Sequence, residues 1–368
     1  MTWRTVKIGD VCLVKRGTTI TEKQAMKGSV PVVAGGISYS YKHNQANRSP
    51  NVITVSASGA NAGYVNFWDI PIFASDCSTV EAVGNNIDIR FIFYFLRHKQ
   101  DFINQTMRSG AAQPHVYAKD IAQISLNLPP LAEQKRIAAI LDKANEIKTK
   151  RELALAKLHE LADSTFIELF EVGSIYEHAK LSDVCELITD GTHYTPTYAD
   201  DGVIFLSAKN VTSGEIDWNN IKYIPESLHL ELQKRVKPKY GDVLLAKNGT
   251  TGVAAIVDKD VVFDIYVSLA LLRPSKKILS AFLHGALNSS ITKRQFNSSL
   301  KGIGVPNLHL VDIRKTTIPL PSIKEQEKFI EIMRDINNNR EINLSFLNKQ
   351  AEVISSLQNQ AFTTGFNA

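Results

Sequence analysis

Three short stretches of the chain carry residue types that nucleic-acid enzymes use, and each falls short of the full pattern. Asn127-Leu128-Pro129-Pro130-Leu131 approaches the [DN]PP[YF] motif that holds an adenine for methyl transfer, but Leu128 intrudes and no aromatic residue follows. Glu146-Ile147-Lys148 spells the (D/E)xK element of magnesium nucleases, yet it sits in mid-helix by its surroundings, where it is a surface triplet. Lys247-Asn248-Gly249-Thr250-Thr251-Gly252 resembles a phosphate loop only superficially, because the GxxxxGK[ST] order is missing. The nine histidines show no HExxH or other metal spacing. Cys12, Cys77 and Cys185 are scattered without a CxxC, which indicates neither a zinc site nor a disulfide framework; they read as small buried apolar residues. No Ser/His/Asp or Cys/His order stands out. The chain is therefore expected to bind rather than transform, with no catalytic residue, no metal and no cofactor of its own.

Binding chemistry is better represented. Asn, Gln and Arg side chains can offer paired hydrogen bonds to adenine and guanine edges. In the first part of the chain Lys42, His43, Asn44, Gln45 and Arg48 form a polar, basic stretch between strand-like segments, and Asn61 and Tyr64 lie in a loop bounded by glycines. Later come Thr192, His193 and Tyr194, then Lys209 and Asn210, then Lys247 and Asn248. Arg108 and His115 stand near positions that correspond to Lys301 and Asn307. A solvated loop or a shared structural turn explains any one of these equally well.

That last correspondence belongs to an internal repeat. Leu128-Pro129-Pro130-Leu131-Ala132-Glu133-Gln134 recurs as Leu320-Pro321-Ser322-Ile323-Lys324-Glu325-Gln326, and the same shift carries Gly110, Pro114, Asp120 and Ile121 onto Gly302, Pro306, Asp312 and Ile313. Lys7-Ile8-Gly9-Asp10-Val11-Cys12 matches Lys180-Leu181-Ser182-Asp183-Val184-Cys185 at a shorter shift, so the second copy carries insertions in its globular part. At 368 residues the chain exceeds what one core sustains. Residues 1–128 and 173–320 are expected as two globular α/β domains, and 129–172 and 321–368 as helical spacers.

Each proline step opens onto a segment without Pro or Gly, Leu131 to Phe170 and Ile323 to about Phe362, rich in helix formers. In the first, Ile137, Leu141, Ala144, Lys148, Arg151, Leu155, Leu158, Ala162, Thr165 and Leu169 step by four and three, close to a heptad seam with a polar break. In the second, Asn337-Asn338-Asn339-Arg340 interrupts the apolar stripe and is expected to mark a skip or a local loosening. Core helices of a large α/β protein would be the plain alternative for one such segment. Two copies after equivalent steps favour an antiparallel coiled coil, an α+β architecture with a pseudo-twofold repeat and a spacer of ~60 Å.

The formal net charge is +5. The first long segment is neutral and the second carries one net negative charge, so the positive excess lies outside them, where a phosphate-contacting surface is expected. No apolar run reaches the ~20 residues a membrane span needs, and the N-terminus lacks a signal-peptide core; a cytoplasmic protein without membrane contact is expected.

A globular domain, an LPPLxEQ-type step, a long helix and then the whole unit again resembles the specificity subunit of type I restriction-modification systems over essentially the full chain. The resemblance implies two target-recognition domains that each bind one half of a split double-stranded DNA site. It implies helices that set the gap and dock two modification (methyltransferase) subunits, with Glu133, Gln134, Arg136, Glu325, Gln326 and Lys328 as docking residues, and restriction subunits joining the larger assembly. S-adenosylmethionine, magnesium and ATP would belong to those partners. The sequence leaves open a related system whose partner fuses methylation and cleavage, and a coiled-coil scaffold protein without a DNA role.

Overall fold

The run Val-Ile-Thr-Val-Ser at Val52–Ser56 buries every residue, as a β-branched strand covered on both faces must, and Val243–Ala246 does the same in the second half. The computed structural model describes residues 3–110, 114–173, 175–300 and 307–363. It divides into two units, one within Met1–Glu152 and Ser345–Ala368, the other within Leu153–Leu344.

In the first unit an antiparallel sheet runs in the order Cys12–Arg16, Cys77–Ala82, Val52–Ser56 and Val65–Trp68. A smaller sheet orders Tyr39–His43, Val30–Val33 and Phe73–Ala74, the last two parallel. The second unit repeats this plan strand for strand. Its larger sheet orders Cys185–Asp190, Leu269–Pro274, Val243–Ala246 and Ala254–Ile256. Its smaller sheet orders Lys222–Ile224, Val203–Leu206 and Phe263–Ile265, again with the last two parallel. Arg4–Lys7 pairs with Ser125–Leu128, and His178–Lys180 with Thr317–Pro319, tying the entry of each domain to its exit. The insertions of the second copy fall in two connections of the smaller sheet. Residues 207–221 stand where the first copy has 34–38, and 225–242, with the helix Glu226–Leu232, stand where it has 44–51.

An amphipathic helix comes directly after the sheet strands in each copy. Ile89–His98 buries Phe91, Ile92, Phe95 and Leu96, and its first turn is capped by Asp88, whose carboxylate accepts the Phe91 N–H at 3.0 Å. Its counterpart Ser280–Asn288 buries Phe282, Leu283, Ala286 and Leu287.

The two long helices span Leu131–Phe170 and Ile323–Thr363. Within the first unit they run antiparallel: Gln350 Nε2 donates to the Ala144 carbonyl at 2.8 Å, and the Arg151 guanidinium lies over the Phe346 ring at 4.4 Å. Within the second unit Phe166, Phe170 and Phe329 pack together with Phe282, their ring centroids 5.2 to 5.9 Å apart. Each buried ring contributes about 1.5–3 kcal/mol. Gly285 leaves the Phe329 ring space that a Cβ would take.

Two expectations about the helices need correction. Leu169, placed on the seam by a seven-residue repeat, is 43% exposed, and Phe166 and Phe170 take the buried positions. A straight helix drifts by ~20° per heptad, enough to move the buried stripe by one residue along this length. The second helix also runs unbroken through Asn337 to Arg340. Its polar side chains are accommodated there: Asn339 and Asn343 donate to carbonyls four residues back at 2.9 and 2.8 Å, and Arg340 pairs with Glu215.

The thiols of Cys12, Cys77 and Cys185 are free, and burial pushes each up to about 12. Among the described residues no helix is long and apolar enough to cross a membrane.

Candidate nucleic-acid interface

In each domain three segments meet at one end of the larger sheet. The first is the end of its first strand, Arg16-Gly17-Thr18 or Asp190-Gly191-Thr192. Both glycines press on neighbouring backbone, so a Cβ would collide with the Ser75 carbonyl in one copy and the Ile265 carbonyl in the other. The second is the turn after the central strand. Gly59 and Gly249 adopt φ of 80° and 76°, and the N–H groups of Gly63 and Gly252 close the turn onto Ser56 and Ala246 at 2.8 Å each. The third precedes a short helix and bridges to that turn, His115 to Ser58 and Asn307 to Asn248. Backbone bonds from Val116 to Ala57 (3.0 Å) and from Leu308 to Lys247 (3.1 Å) fix the same register.

In the first domain this convergence gathers Asn61, Arg108 and His115. Arg108 Nε donates to the Ala62 carbonyl at 2.7 Å, and the His115 ring lies nearly parallel to that of Tyr117 at 6.3 Å. Asn61 and Arg108 are exposed, and His115 is half-buried. Tyr64 is half-buried beneath the Arg97 guanidinium at 5.0 Å. The stretch 42–48 does not act as one surface. Lys42, Asn44 and Gln45 are exposed, but His43 is 5% exposed, accepts the Met26 N–H on Nδ1 at 3.0 Å and meets the edge of Phe73. Arg48 spends its guanidinium on Thr79 Oγ1 at 2.9 Å, on the Asn47 carbonyl at 2.8 Å and on Glu81 at 3.2 Å. His43 and Arg48 thus hold the domain together instead of facing outward.

In the second domain the convergence is built on a buried carboxylate. Asp190, 3% exposed, receives Lys247 Nζ at 2.6 Å, Arg235 Nη2 at 2.6 Å and His193 Nε2 at 3.4 Å. Burial pushes the Asp190 carboxyl up, but Lys247 and His193 more than offset this and hold it below the usual carboxylate range. Lys247 is itself 5% exposed, so the expectation that it meets a ligand directly gives way to a structural role. A buried ion pair that loses one partner costs about 3–5 kcal/mol. Thr192 is also buried; its N–H donates to Ile265 and its carbonyl accepts from Val267, which fixes the loop, while His193 and Tyr194 project from it, Tyr194 being 84% exposed. Lys209 is exposed. Its neighbour Asn210 is 5% exposed and serves as the hub of the 207–221 connection, its amide donating to the Asp217 and Asn220 carbonyls and its Oδ1 accepting the Ser207 N–H. Asn248 and Asn307 are half-buried, each with a buried Oδ1 that has no hydrogen-bond partner among the described residues. Lys301 lies outside the described residues.

The residues expected to dock a partner divide in the same way. Glu133 pairs with Arg136 at 2.7 Å, Glu325 accepts from Ser322 and from the Tyr176 hydroxyl, and Arg136 and Lys328 are exposed. Gln134 and Gln326 are 1% and 0% exposed, which removes both from any docking surface. Each donates to the carbonyl of the proline that opens its helix and bonds the loop before the amphipathic helix.

Sequence reasoning passed over Arg16 and Arg235. Arg16 would have emerged from aligning Arg16-Gly17-Thr18 with Asp190-Gly191-Thr192. Arg235 has no counterpart in the repeat, because it lies in an insertion. Among the described residues no three His, Cys, Asp or Glu side chains come together as a metal site requires.

The profile of the type I restriction modification DNA specificity domain matches residues 1–157 and again 174–352. The chain belongs to that family. Among specificity-domain relatives, the type I restriction enzyme MjaVIII specificity subunit of Methanocaldococcus jannaschii is 26% identical over 92% of this chain and 87% of its own length. The putative type I specificity subunit S.MpnORF507P of Mycoplasma pneumoniae is 24% identical over 88% and 86%. A type I restriction-modification S subunit from M. genitalium shares the fold, with a TM-score of 0.61 over 98% of this chain and 96% of that one at 16% identity. A chain solved in work on complex assembly of the type I R-M system gives 0.61 over 99% and 98% at 17% identity.

Proposed function

We propose that this chain is a specificity subunit that reads a DNA target in two parts. The observation that carries the reading is that the specificity-domain profile matches twice and that the two matches fall on two copies of one strand plan. Residues 1–128 and 173–320 act as the target-recognition domains, and 129–172 and 321–368 as the spacers that set the gap between half-sites. The convergent loops face the duplex: Asn61, Arg108, His115 and Arg16 in the first domain, and His193, Tyr194, Arg235, Asn248 and Asn307 in the second. Arginine and asparagine at such positions suit guanine and adenine edges.

The chain works without catalysis of its own. It directs two methyltransferase subunits and the restriction subunits of its system to the site, and the exposed helix faces around Arg136 and Lys328 serve for docking. The reading is tested by single-molecule sequencing of methylated sites in cells carrying the system. A split motif whose halves lie about one helical turn apart, ~34 Å, is expected; a continuous site would overturn it.

A further inference from the structure

The insertion 225–242 of the second domain contains Lys234-Arg235-Val236-Lys237-Pro238-Lys239-Tyr240, four cations without an anion. Every one of the four is exposed, and Tyr240 is 69% exposed. A run of like charge is ordinarily a solvated, self-repelling segment. Here the segment is held at three points, one through a side chain and two through its backbone. Arg235 is tied to buried Asp190 at 2.6 Å. Arg273 Nη2 donates to the Lys237 carbonyl at 2.8 Å while its guanidinium grips Asp242 at 2.7 and 2.8 Å. The Lys239 N–H donates to the same Asp242 carboxylate at 2.8 Å. These bonds leave the ammonium groups of Lys234, Lys237 and Lys239 outside every ion pair among the described residues. Gathering these charges on a fixed backbone costs repulsion that a polyanion laid along them relieves. Arg235 joins the segment to the carboxylate that also holds His193, so the run is continuous with the second domain's convergent loops. At the same place in the first copy, 44–51, the single cation Arg48 is consumed by internal bonds.

We propose that 234–240 is a DNA-backbone clamp added to the second domain, with Lys234, Lys237 and Lys239 on phosphates and Arg235 anchoring the segment beside the reading loops. The clamp rests on the DNA reading proposed above and adds sequence-independent affinity. Its test compares the full-length chain, co-expressed with the modification subunit of its own system, with a Lys234→Gln, Lys237→Gln, Lys239→Gln variant. Binding to a random-sequence duplex is followed against salt. All three positions are exposed, and an unchanged urea midpoint verifies the fold. Three lost phosphate contacts should lower the slope of log K against log salt by about 2 to 3 while the methylated motif stays the same. An unchanged slope overturns the clamp, as does a second half-site that changes sequence. Wild-type complex that binds no DNA would instead sink the parent reading.

Discussion

Gln134 Oε1 accepts the backbone N–H of Asp88 at 2.8 Å, so the first turn of the long helix is stapled to the N-cap of the helix packed against it. Gln326 makes the same bond to Leu279 at 2.8 Å, at the corresponding N-cap. The amide of each glutamine also donates to two carbonyls, Asn86 and Pro129 in one copy, Lys277 and Pro321 in the other.

Gln134→Ala and Gln326→Ala should each cost about 1–3 kcal/mol, because each strands the carbonyl of a buried proline, Pro129 or Pro321, and the half-buried N–H of Asp88 or Leu279. Arg136→Ala, which removes a surface ion pair screened by solvent, should leave the midpoint nearly unchanged. Urea unfolding followed by circular dichroism measures both. Equal costs for the two kinds of variant would show that the glutamines are dispensable to the fold.

Two aspartates of the second domain should respond to pH with opposite sign. The folded pKa of Asp190 is depressed, so the stability it contributes is present above the unfolded value of about 3.9 and is lost as pH falls through the folded pKa. Asp264 is raised, chiefly by burial and in spite of His229 at 2.7 Å, so its contribution is present below about 3.9 and is lost as pH rises through the folded pKa. As pH rises through the carboxylate range, Asp190→Asn should therefore become progressively less stable than wild type and Asp264→Asn progressively more stable, read as urea midpoints across pH. Parallel curves would refute the assignment.

Arg16→Ala should weaken recognition of one half of the DNA target and Arg235→Ala that of the other, since the two residues belong to different domains. If either contacts a base, about 1–3 kcal/mol is lost and that position relaxes in the methylation motif. Both variants degrading the same half would contradict one domain per half-site.

The three thiols, pushed up to about 12 by burial, should resist alkylation in the native state at pH 8 and react only after denaturation. Mass spectrometry after iodoacetamide treatment reads this directly. Rapid native labelling of Cys12 or Cys77 would contradict their placement.

The repeat, the two long helices, the placement of positive charge outside them and the family resemblance were all legible in the residues alone. These features rest on local causes: proline cannot enter a helix, forty residues without a breaker continue one, and a duplicated step preserves its spelling. The candidate site was legible only in part. Asn61, Arg108, His193 and Tyr194 remain at the surface, but Lys247 faces inward to Asp190, Arg48 is spent on its own domain, and Arg235 arrives from an insertion without a counterpart. Gln134 and Gln326, which a repeated motif makes look like a docking signature, turn out to be internal staples. Each of those outcomes depends on a partner many positions away in the chain. Tertiary packing decided them, because whether a polar side chain meets solvent or a buried carboxylate depends on which distant segments the fold places against it.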